Sequence, residues 1–341
     1  MDVVELTKKL CMLAGPSGYE GAVSAYVAEY LQAKADCVET DCMGNVIAVK
    51  KCGQPDAKRL VLSAHMDECG LILTRQTGSF YTVHPLGEVD PSCLPAAELR
   101  ILGDNNWLGV VAVMPPHLLK SEEQGKNIPW DKLYVDTGFD EGNMPASLGP
   151  STSAVFDGLC DELTPGVLCG KALHSRSALA LALHVFELMC ARELNLDLYC
   201  LLTVQGELHA RGAAAGCHAI SPDDALILDT MRTSDSKTPA CGTGPAIAFG
   251  PLMNRTLSSA LKTLAEEKEL PHSVFVLADS QNAGDTAAIQ TAREGIRTAY
   301  LCLPMLHRGS GAEILYADDL TAAQRLLCEY ILKAGEGNEL A

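Results

Sequence analysis

The stretch Ala64-His65-Met66-Asp67-Glu68-Cys69-Gly70-Leu71 decides how the rest of the chain is interpreted. It begins at the end of an apolar run, residues 60–64, that has the composition of a buried strand. A histidine that ends a strand, with a carboxylate two residues later, suits metal binding because the carboxylate can hold the imidazole in the tautomer that a metal requires. A lone histidine at a strand end is more often a hydrogen-bonded rim residue, so the spacing of His65 and Asp67 is what supports a metal site.

Strands and helices alternate from residue 170 to the end of the chain, which indicates a mixed, largely parallel sheet with helices on both faces. Between residues 70 and 156 the apolar segments are short and are separated by Gly, Pro and Asp, a texture typical of a small β-rich module. We therefore expect an α/β domain made of residues 1–69 and 157–341, with a β-rich domain, residues 70–156, inserted into it.

The composition predicts a folded, acidic, cytoplasmic protein. Of 341 residues, 48% are hydrophobic, which provides for a sizeable core, and the net charge is −17. This charge argues against nucleic acid or an anionic membrane as a partner, and no apolar run is long enough to span a bilayer. The fourteen cysteines form no C-x-x-C pair and no secretory leader is evident, so reduced thiols in the cytoplasm are expected.

Further side chains with metal-binding chemistry follow other predicted strands. Glu207 follows the strand 196–204, Asp229 closes the strand 225–228, and His307 follows the strand 297–303. In such sheets ligands bind beyond the carboxyl ends of the strands, and His, Glu and Asp together are what a divalent metal selects. Taken singly, a Glu that opens a helix or an Asp that ends a strand is more often a dipole-stabilising or capping residue.

The stretch 64–71 closely resembles the AHMDEVGL signature of the M42 family of metallo-aminopeptidases, which includes the glutamyl aminopeptidases. This resemblance implies a zinc-peptidase-like α/β domain with a mixed sheet flanked by helices, an inserted β-barrel lid, two divalent metals and homo-oligomeric assembly, often as a hollow cage. It also implies the removal of amino-terminal residues from peptides. Further motifs match in order along the chain: Gly18-Tyr19-Glu20, Gly44-Asn45-Val46-Ile47-Ala48, Pro115-Pro116-His117-Leu118, Leu133-Tyr134-Val135-Asp136-Thr137-Gly138, Arg211-Gly212-Ala213 and residues 242–247.

Three positions depart from the family pattern. His174 stands where the family has the Asp that bridges both metals, Gly206 where it has the general base, and Gly309 where it has a histidine ligand. A neutral imidazole has one lone pair and cannot bridge two ions about 3.5–4 Å apart, and glycine cannot accept a proton from water. The resemblance leaves His65, Glu207 and Asp229 as metal ligands and Asp67 as the residue that orients His65.

Three hypotheses follow, and they leave open whether the chain is an enzyme. In the first it is a non-catalytic regulatory or structural subunit that forms homo-oligomers or assembles with an active paralogue. In the second it is a rewired hydrolase with at most one zinc, cobalt or manganese ion and Glu207 as base. In the third it binds peptide amino termini or small amines without cleaving them, through Glu207 and Asp229, with no ion. The ligands of the second hypothesis are His65, His174 and Asp229, and His209 and His307 are further candidates.

Overall fold

The strand that ends at His65 lies inside a large mixed sheet in the computed structural model, which describes residues 1–119, 122, 126, 128–233, 238–278 and 284–336. The described strands are β1 (Cys37–Thr40), β2 (Val46–Lys50), β3 (Arg59–His65), β4 (Gly70–Thr77), β5 (Phe80–Leu86), β6 (Glu98–Ile101), β7 (Trp107–Ala112), β8 (Tyr134–Asp136), β9 (Ser153–Phe156), β10 (Asp161–Thr164), β11 (Val167–Gly170), β12 (Asp197–Thr203), β13 (Asp224–Arg232), β14 (Ala246–Phe249), β15 (Ser273–Val276), β16 (Arg297–Leu306) and β17 (Glu313–Tyr316). The described α-helices are α1 (Val3–Cys11), α2 (Gly21–Gln32), α3 (Leu173–Cys190), α4 (Arg211–Ile220), α5 (Arg255–Glu267), α6 (Thr286–Gln290) and α7 (Ala317–Ala334).

Four parallel neighbours, β12, β3, β13 and β16, form the centre of the sheet. In the register, Thr203 of β12 pairs with His65 of β3, and Ile227 of β13 pairs with Ser63 two positions earlier. Asp229 is therefore level with His65, so that the two side chains meet at the carboxyl edge of the sheet, where α/β proteins bind their ligands.

Helices cover both faces of this sheet, which explains why β3 is a nearly continuous apolar run rather than an alternating one. Leu60 and Leu62 pack into the core on one side of the sheet, and Val61 packs into the core on the other. The first core includes residues of α1, α3 and α7, and the second includes residues of α4 and α6. The predicted class, a mixed α/β sheet flanked by helices, is confirmed.

The segment between the two parts of the α/β fold forms a closed barrel. The strands β4, β5, β8, β7, β6 and β9 pair in that order, and all of them lie between Gly70 and Phe156. Their inward side chains form a separate apolar core that includes Leu73, Leu99 and Val135. This barrel confirms the inserted β-rich module, and it brings the loop after β5 over the carboxyl edge of the large sheet.

Three elements are longer than the sequence predicted. Asp229 does not close its strand, because β13 continues to Arg232 by pairing with β16, which itself extends to Leu306. The sequence pattern predicts a helix over roughly residues 177–192, and helix α3 begins earlier, at Leu173. Its early start depends on Glu313, a distant buried carboxylate that accepts a 2.8 Å hydrogen bond from the backbone N of His174 in the first turn.

Two further features of the structure concern the cysteines and the question of a membrane span. All fourteen cysteines are free thiols. No helix in the described part of the chain has the length and apolar character needed to cross a membrane.

Candidate active site

A cleft of about 700 Å³ opens between the barrel and the carboxyl edge of the large sheet. One wall comes from the barrel, at His84 and Glu88, and the other from the loops that follow β3, β12, β13 and β16. The volume lies in the range of small-molecule sites. The cleft is lined by His65, Glu207, His209, Asp229, Asp285 and Arg308, among others.

His65 lies between two buried carboxylates. Its Nδ1 is 3.2 Å from Oδ1 of Asp67, and its Nε2 is 3.6 Å from Oδ1 of Asp229. Burial lowers the pKa of His65, but the two carboxylates outweigh this effect and the net pKa is well above the ordinary value. Burial raises the pKa of Asp229, but His65 and Arg308 bring the net pKa down to about 2.

Asp67 contacts His65, and it also holds the turn after β12. Its Oδ1 accepts a 2.8 Å hydrogen bond from the backbone N of Gly206, and its Oδ2 accepts one of 2.9 Å from that of Glu207. This closes the turn onto the imidazole: a Cβ added at Gly206 would lie 2.5 Å from Cβ of His65. In this backbone arrangement, position 206 has no room for a side chain.

Glu207 faces a guanidinium that the sequence analysis did not identify. Nη2 of Arg308 lies 3.4 Å from Oε1 of Glu207, and Nη1 lies 3.0 Å from Oε2 of Glu88. The other oxygen of Glu207 accepts a 3.0 Å hydrogen bond from the backbone N of Glu88. Burial lowers the pKa of Arg308, but Glu207, Asp229 and Glu88 raise it above its usual range, so the guanidinium stays charged.

His174 is buried and is connected to the cleft through Glu207. Its Nδ1 lies 2.8 Å from Oε1 of Glu313, its Nε2 accepts a 3.3 Å hydrogen bond from the backbone N of Cys69, and Nε2 is 3.7 Å from Oε1 of Glu207. Glu313 also accepts a hydrogen bond from the backbone N of Gly309. It therefore joins two of the three positions that depart from the family pattern, although nothing in its local sequence marks it.

The other two candidate histidines lie in exposed turns. His209 lines the cleft with φ 66°, and His307 is exposed with φ 58° and is not among the residues that line the cleft. The residue after it, Arg308, is the one that enters the cleft. A Cβ added at Gly309, which has φ 85°, would lie 2.3 Å from the carbonyl oxygen of Glu88, so a side chain there would strike the barrel wall.

Asp285 is a further residue of the cleft that sequence reasoning missed. It is 3% exposed, and its Oδ2 accepts a 2.6 Å hydrogen bond from Oγ1 of Thr203. Burial raises the pKa of Asp285 to about 6, with further upward contributions from Asp67 and Asp229 and opposing ones from His65 and Thr203. Its position after β15 in the chain was a usable signal, but the residue directly precedes α6 and so resembles a helix cap.

The candidate ligands form two pairs. Throughout the described residues, no cluster of three or more His, Cys, Asp or Glu side chains has a geometry that could hold a metal ion. His65 and Asp229 form one pair, and His174 and Glu207 form the other. The remaining oxygen of Asp229 accepts a 2.8 Å hydrogen bond from the hydroxyl of Tyr300.

Comparisons with known proteins agree on one family. The family model described as M42 glutamyl aminopeptidase matches residues 44–326. The lysyl aminopeptidase of Pyrococcus furiosus is 30% identical and is matched over 93% of each chain. An aminopeptidase structure from Desulfurococcus kamchatkensis has a TM-score of 0.89 at 28% identity, over 98% of this chain and 96% of that one. The TET1 peptidase of Pyrococcus horikoshii, which can assemble into a tetrahedron or a large octahedral shell, has a TM-score of 0.85 at 23% identity, over 97% of this chain and all of its own.

Proposed function

Because the chain belongs to the M42 family of peptidases, a family of divalent-metal aminopeptidases, we propose that it is a non-hydrolysing member that binds the amino terminus of a peptide. The proposal separates two properties of the family. Recognition of a peptide end needs a cleft of the right size and charge, whereas hydrolysis needs an activated water and a proton acceptor. The residues of this chain support the first property and argue against the second.

The observation that carries the proposal is the ion pair between Arg308 and Glu207. A guanidinium is charged at every physiological pH, and it stands 3.4 Å from the carboxylate that would have to bind an ion. Asp229, the other carboxylate of the candidate metal site, also lies within the field of Arg308. A divalent cation brought to these carboxylates would be repelled by a charge that the protein cannot release.

The donor set also argues against the two-ion centre of the family. Two ligand atoms that share a tetrahedral zinc at about 2.0–2.1 Å are about 3.3–3.4 Å apart. The gaps of 3.6 Å between His65 and Asp229 and 3.7 Å between His174 and Glu207 approach that spacing, but each pair supplies two donors where a catalytic zinc takes three. These residues therefore do not fit the two-ion centre of the family.

Position 206 and the carboxylates next to it, Asp67 and Glu207, offer no free proton acceptor. Position 206, where the family pattern has the base, is a glycine in contact with His65. Both oxygens of Asp67 accept backbone hydrogen bonds, and both oxygens of Glu207 face donors from Glu88 and Arg308. A carboxylate held by donors in this way is a weak base.

Peptide binding is supported by what the cleft retains. It keeps a volume of about 700 Å³ and is open between the barrel and the sheet, with acidic side chains on both walls. Glu88 lies on the barrel wall, and Asp229 and Asp285 lie on the sheet side. A cationic peptide end is the natural complement of this charge.

One observation favours a second candidate function, a hydrolase with a single metal ion. The 3.6 Å gap between Nε2 of His65 and Oδ1 of Asp229 is longer than a hydrogen bond and comes near the spacing across a zinc ion. Such an enzyme would need His174 as a third ligand and Glu207 as base. The contacts of Arg308 with Glu207 and of Glu313 with His174 would therefore have to break.

Assembly and boundaries complete the proposal. The tetrahedral and octahedral shells of the P. horikoshii relative support a homo-oligomer for this chain too, and an active paralogue could share such a shell. The closed barrel supports residues 70–156 as the inserted domain, and residues 1–69 with 157–341 as the α/β domain. We propose that the protein is cytoplasmic, which agrees with its fourteen free thiols.

Metal content and hydrolysis together test the proposal. The protein is purified without added metal, incubated with zinc, cobalt or manganese, desalted, and analysed for ions per chain, while aminoacyl p-nitroanilides report hydrolysis. We expect less than one tenth of an ion per chain, no hydrolysis, and binding of a free tripeptide by calorimetry in chelator. One retained ion per chain with hydrolysis that a chelator abolishes would establish the single-metal enzyme instead.

A further inference from the structure

We infer that Asp285 is the acceptor for the ammonium group of the bound peptide end, an inference that rests on the proposed function and names the residue that carries it. The chemical class of ligand is an α-aminoacyl unit, that is, a primary ammonium on the carbon next to a carbonyl. The inference comes from hydrogen bonding, since among the described residues that line the cleft one buried carboxylate oxygen has no partner.

The carboxylates at the cleft differ in how their oxygens are used. Asp229 accepts hydrogen bonds from the backbone N of Thr230 and from the hydroxyl of Tyr300. Both oxygens of Glu207 face donors from Glu88 and Arg308. Asp285 uses Oδ2 for Thr203, but in the described part of the protein its Oδ1 is buried with no hydrogen-bond partner. Buried carboxylate oxygens are rarely left in that state, so Oδ1 is the atom for which a ligand donor is missing.

The local structure argues against a capping role for Asp285. It occupies the position before the first residue of α6, where an Asp side chain ordinarily accepts a hydrogen bond from the helix backbone. Here the side chain makes no such bond and turns to Thr203 at the end of β12. The carboxylate is therefore directed by a tertiary contact to the carboxyl edge of the sheet, beside the cleft that it lines.

The residue before Asp285 brings it close to the other acids. Gly284 has φ 49°, and a Cβ there would lie 2.5 Å from Oδ2 of Asp229, so only glycine allows the segment to approach this closely. The approach concentrates negative charge at one point. A cation is what relieves such a concentration, and the compact ammonium group offers three donors to it.

A second group without a partner defines the rest of the ligand. Nε of Arg308 is buried, and none of the described residues accepts a hydrogen bond from it. Like Asp285, Arg308 lines the cleft and lies in the field of Asp229. A carbonyl oxygen next to the ammonium would satisfy this N–H, so an aminoacyl unit fits both groups and a simple alkylamine fits only one.

Calorimetry in chelator with three probes tests the inference: a free alanine tripeptide, its N-acetyl form and propylamine. The wild type should bind the free tripeptide, and it should bind the other two probes at least tenfold more weakly. Asp285→Asn, which keeps the shape and removes the charge, should weaken the tripeptide at least tenfold. Asp318→Asn removes an exposed carboxylate from the first turn of α7 and should bind like the wild type.

The outcomes separate this inference from the function on which it rests. If the wild type binds none of the probes, the proposed function fails and the role of Asp285 fails with it. If the wild type binds the tripeptide and Asp285→Asn binds it equally well, only the role of Asp285 is overturned. Equal binding of propylamine and tripeptide overturns the contact with Arg308. If Asp285→Asn fails to fold, Thr203→Val removes the hydroxyl that directs Asp285 to the cleft. This variant should bind the tripeptide several-fold more weakly than wild type, and unchanged binding would count against the inference.

Discussion

Nη2 of Arg308 lies 3.4 Å from Oε1 of Glu207, so the cation that faces this carboxylate is part of the protein itself. The two residues come from loops on different strands, and the contact places a permanent positive charge at the carboxyl edge of the sheet. Unlike a bound ion, a guanidinium cannot activate a water molecule, because it has no open coordination position and does not lose its proton. The proposal that this site does not bind metal rests on this one pair.

Replacement of Arg308 should expose the carboxylates to metal and lower stability. In Arg308→Ala, Glu207 and Asp229 lose their cation, so we expect zinc to bind at least roughly tenfold more tightly, as measured by calorimetry. The free energy of unfolding in urea should fall by about 2–3 kcal/mol. This is less than the loss for a fully buried pair, because the side chain of Arg308 is 16% exposed.

The control for Arg308 is Lys262→Ala. The side chain of Lys262 is 43% exposed and pairs with Glu266 at 3.0 Å on α5, so its loss should change stability by no more than about 1 kcal/mol and zinc binding not at all. Equal zinc affinity in Arg308→Ala and wild type would contradict the view that Arg308 competes with metal.

Reinstatement of the missing base should fail. Gly206→Glu restores the side chain that the family pattern has, but its Cβ would lie 2.5 Å from Cβ of His65, so the turn must move. We expect no hydrolysis and a loss of about 1–3 kcal/mol in the free energy of unfolding from overpacking. Gly158→Ala, where nothing lies within 4 Å of the added Cβ, should leave stability within about 0.5 kcal/mol of wild type. Hydrolysis by Gly206→Glu would show that the site had lost only its base.

Glu313 should be a major determinant of local order. Its carboxylate accepts hydrogen bonds from the backbone N atoms of His174 and Gly309 and lies 2.8 Å from Nδ1 of His174. Glu313→Gln presents an amide N–H to one of these donors, and we expect a loss of about 2–3 kcal/mol in the free energy of unfolding. Glu329→Gln, which removes a pair with Lys268 in which both side chains are exposed, should cost less than about 1 kcal/mol. Similar costs for the two variants would rule out the capping role of Glu313.

Asp285→Asn should stabilise the protein in a pH-dependent way. The pKa of Asp285 is raised to about 6 in the folded state from about 3.9 when unfolded, so the folded state binds the proton more tightly and stability falls as pH rises between these values. The variant lacks this loss, and at pH 7.5 it should be more stable than wild type by up to about 3 kcal/mol. Near pH 3.5 the difference should vanish. Urea unfolding at both pH values measures this difference. Equal stability at pH 7.5 would mean that the ionised carboxylate of Asp285 does not destabilise the folded state. The charged groups that face Asp285 are Asp67, Asp229 and His65.

The order of elements could be predicted from the sequence because it depends on local patterns. Residues 60–64 are apolar without alternation, which indicates a strand covered on both faces, and β3 is such a strand. The short segments between Gly70 and Phe156 predicted a β-rich module for the same reason, and they form the barrel. His65 and Asp67 were identified because two residues of spacing suffice to bring them together.

The sequence by itself therefore determined the fold, the family and the proximity of His65 and Asp67. Only the tertiary structure decided which partners complete the site. Glu207 and Arg308 are 101 residues apart, His174 and Glu313 are 139 apart, and Thr203 and Asp285 are 82 apart. Such pairs leave no periodic signal, since their contact depends on how the parallel strands align at one edge and on how glycines let the loops approach. The charge of the site is a property of that alignment.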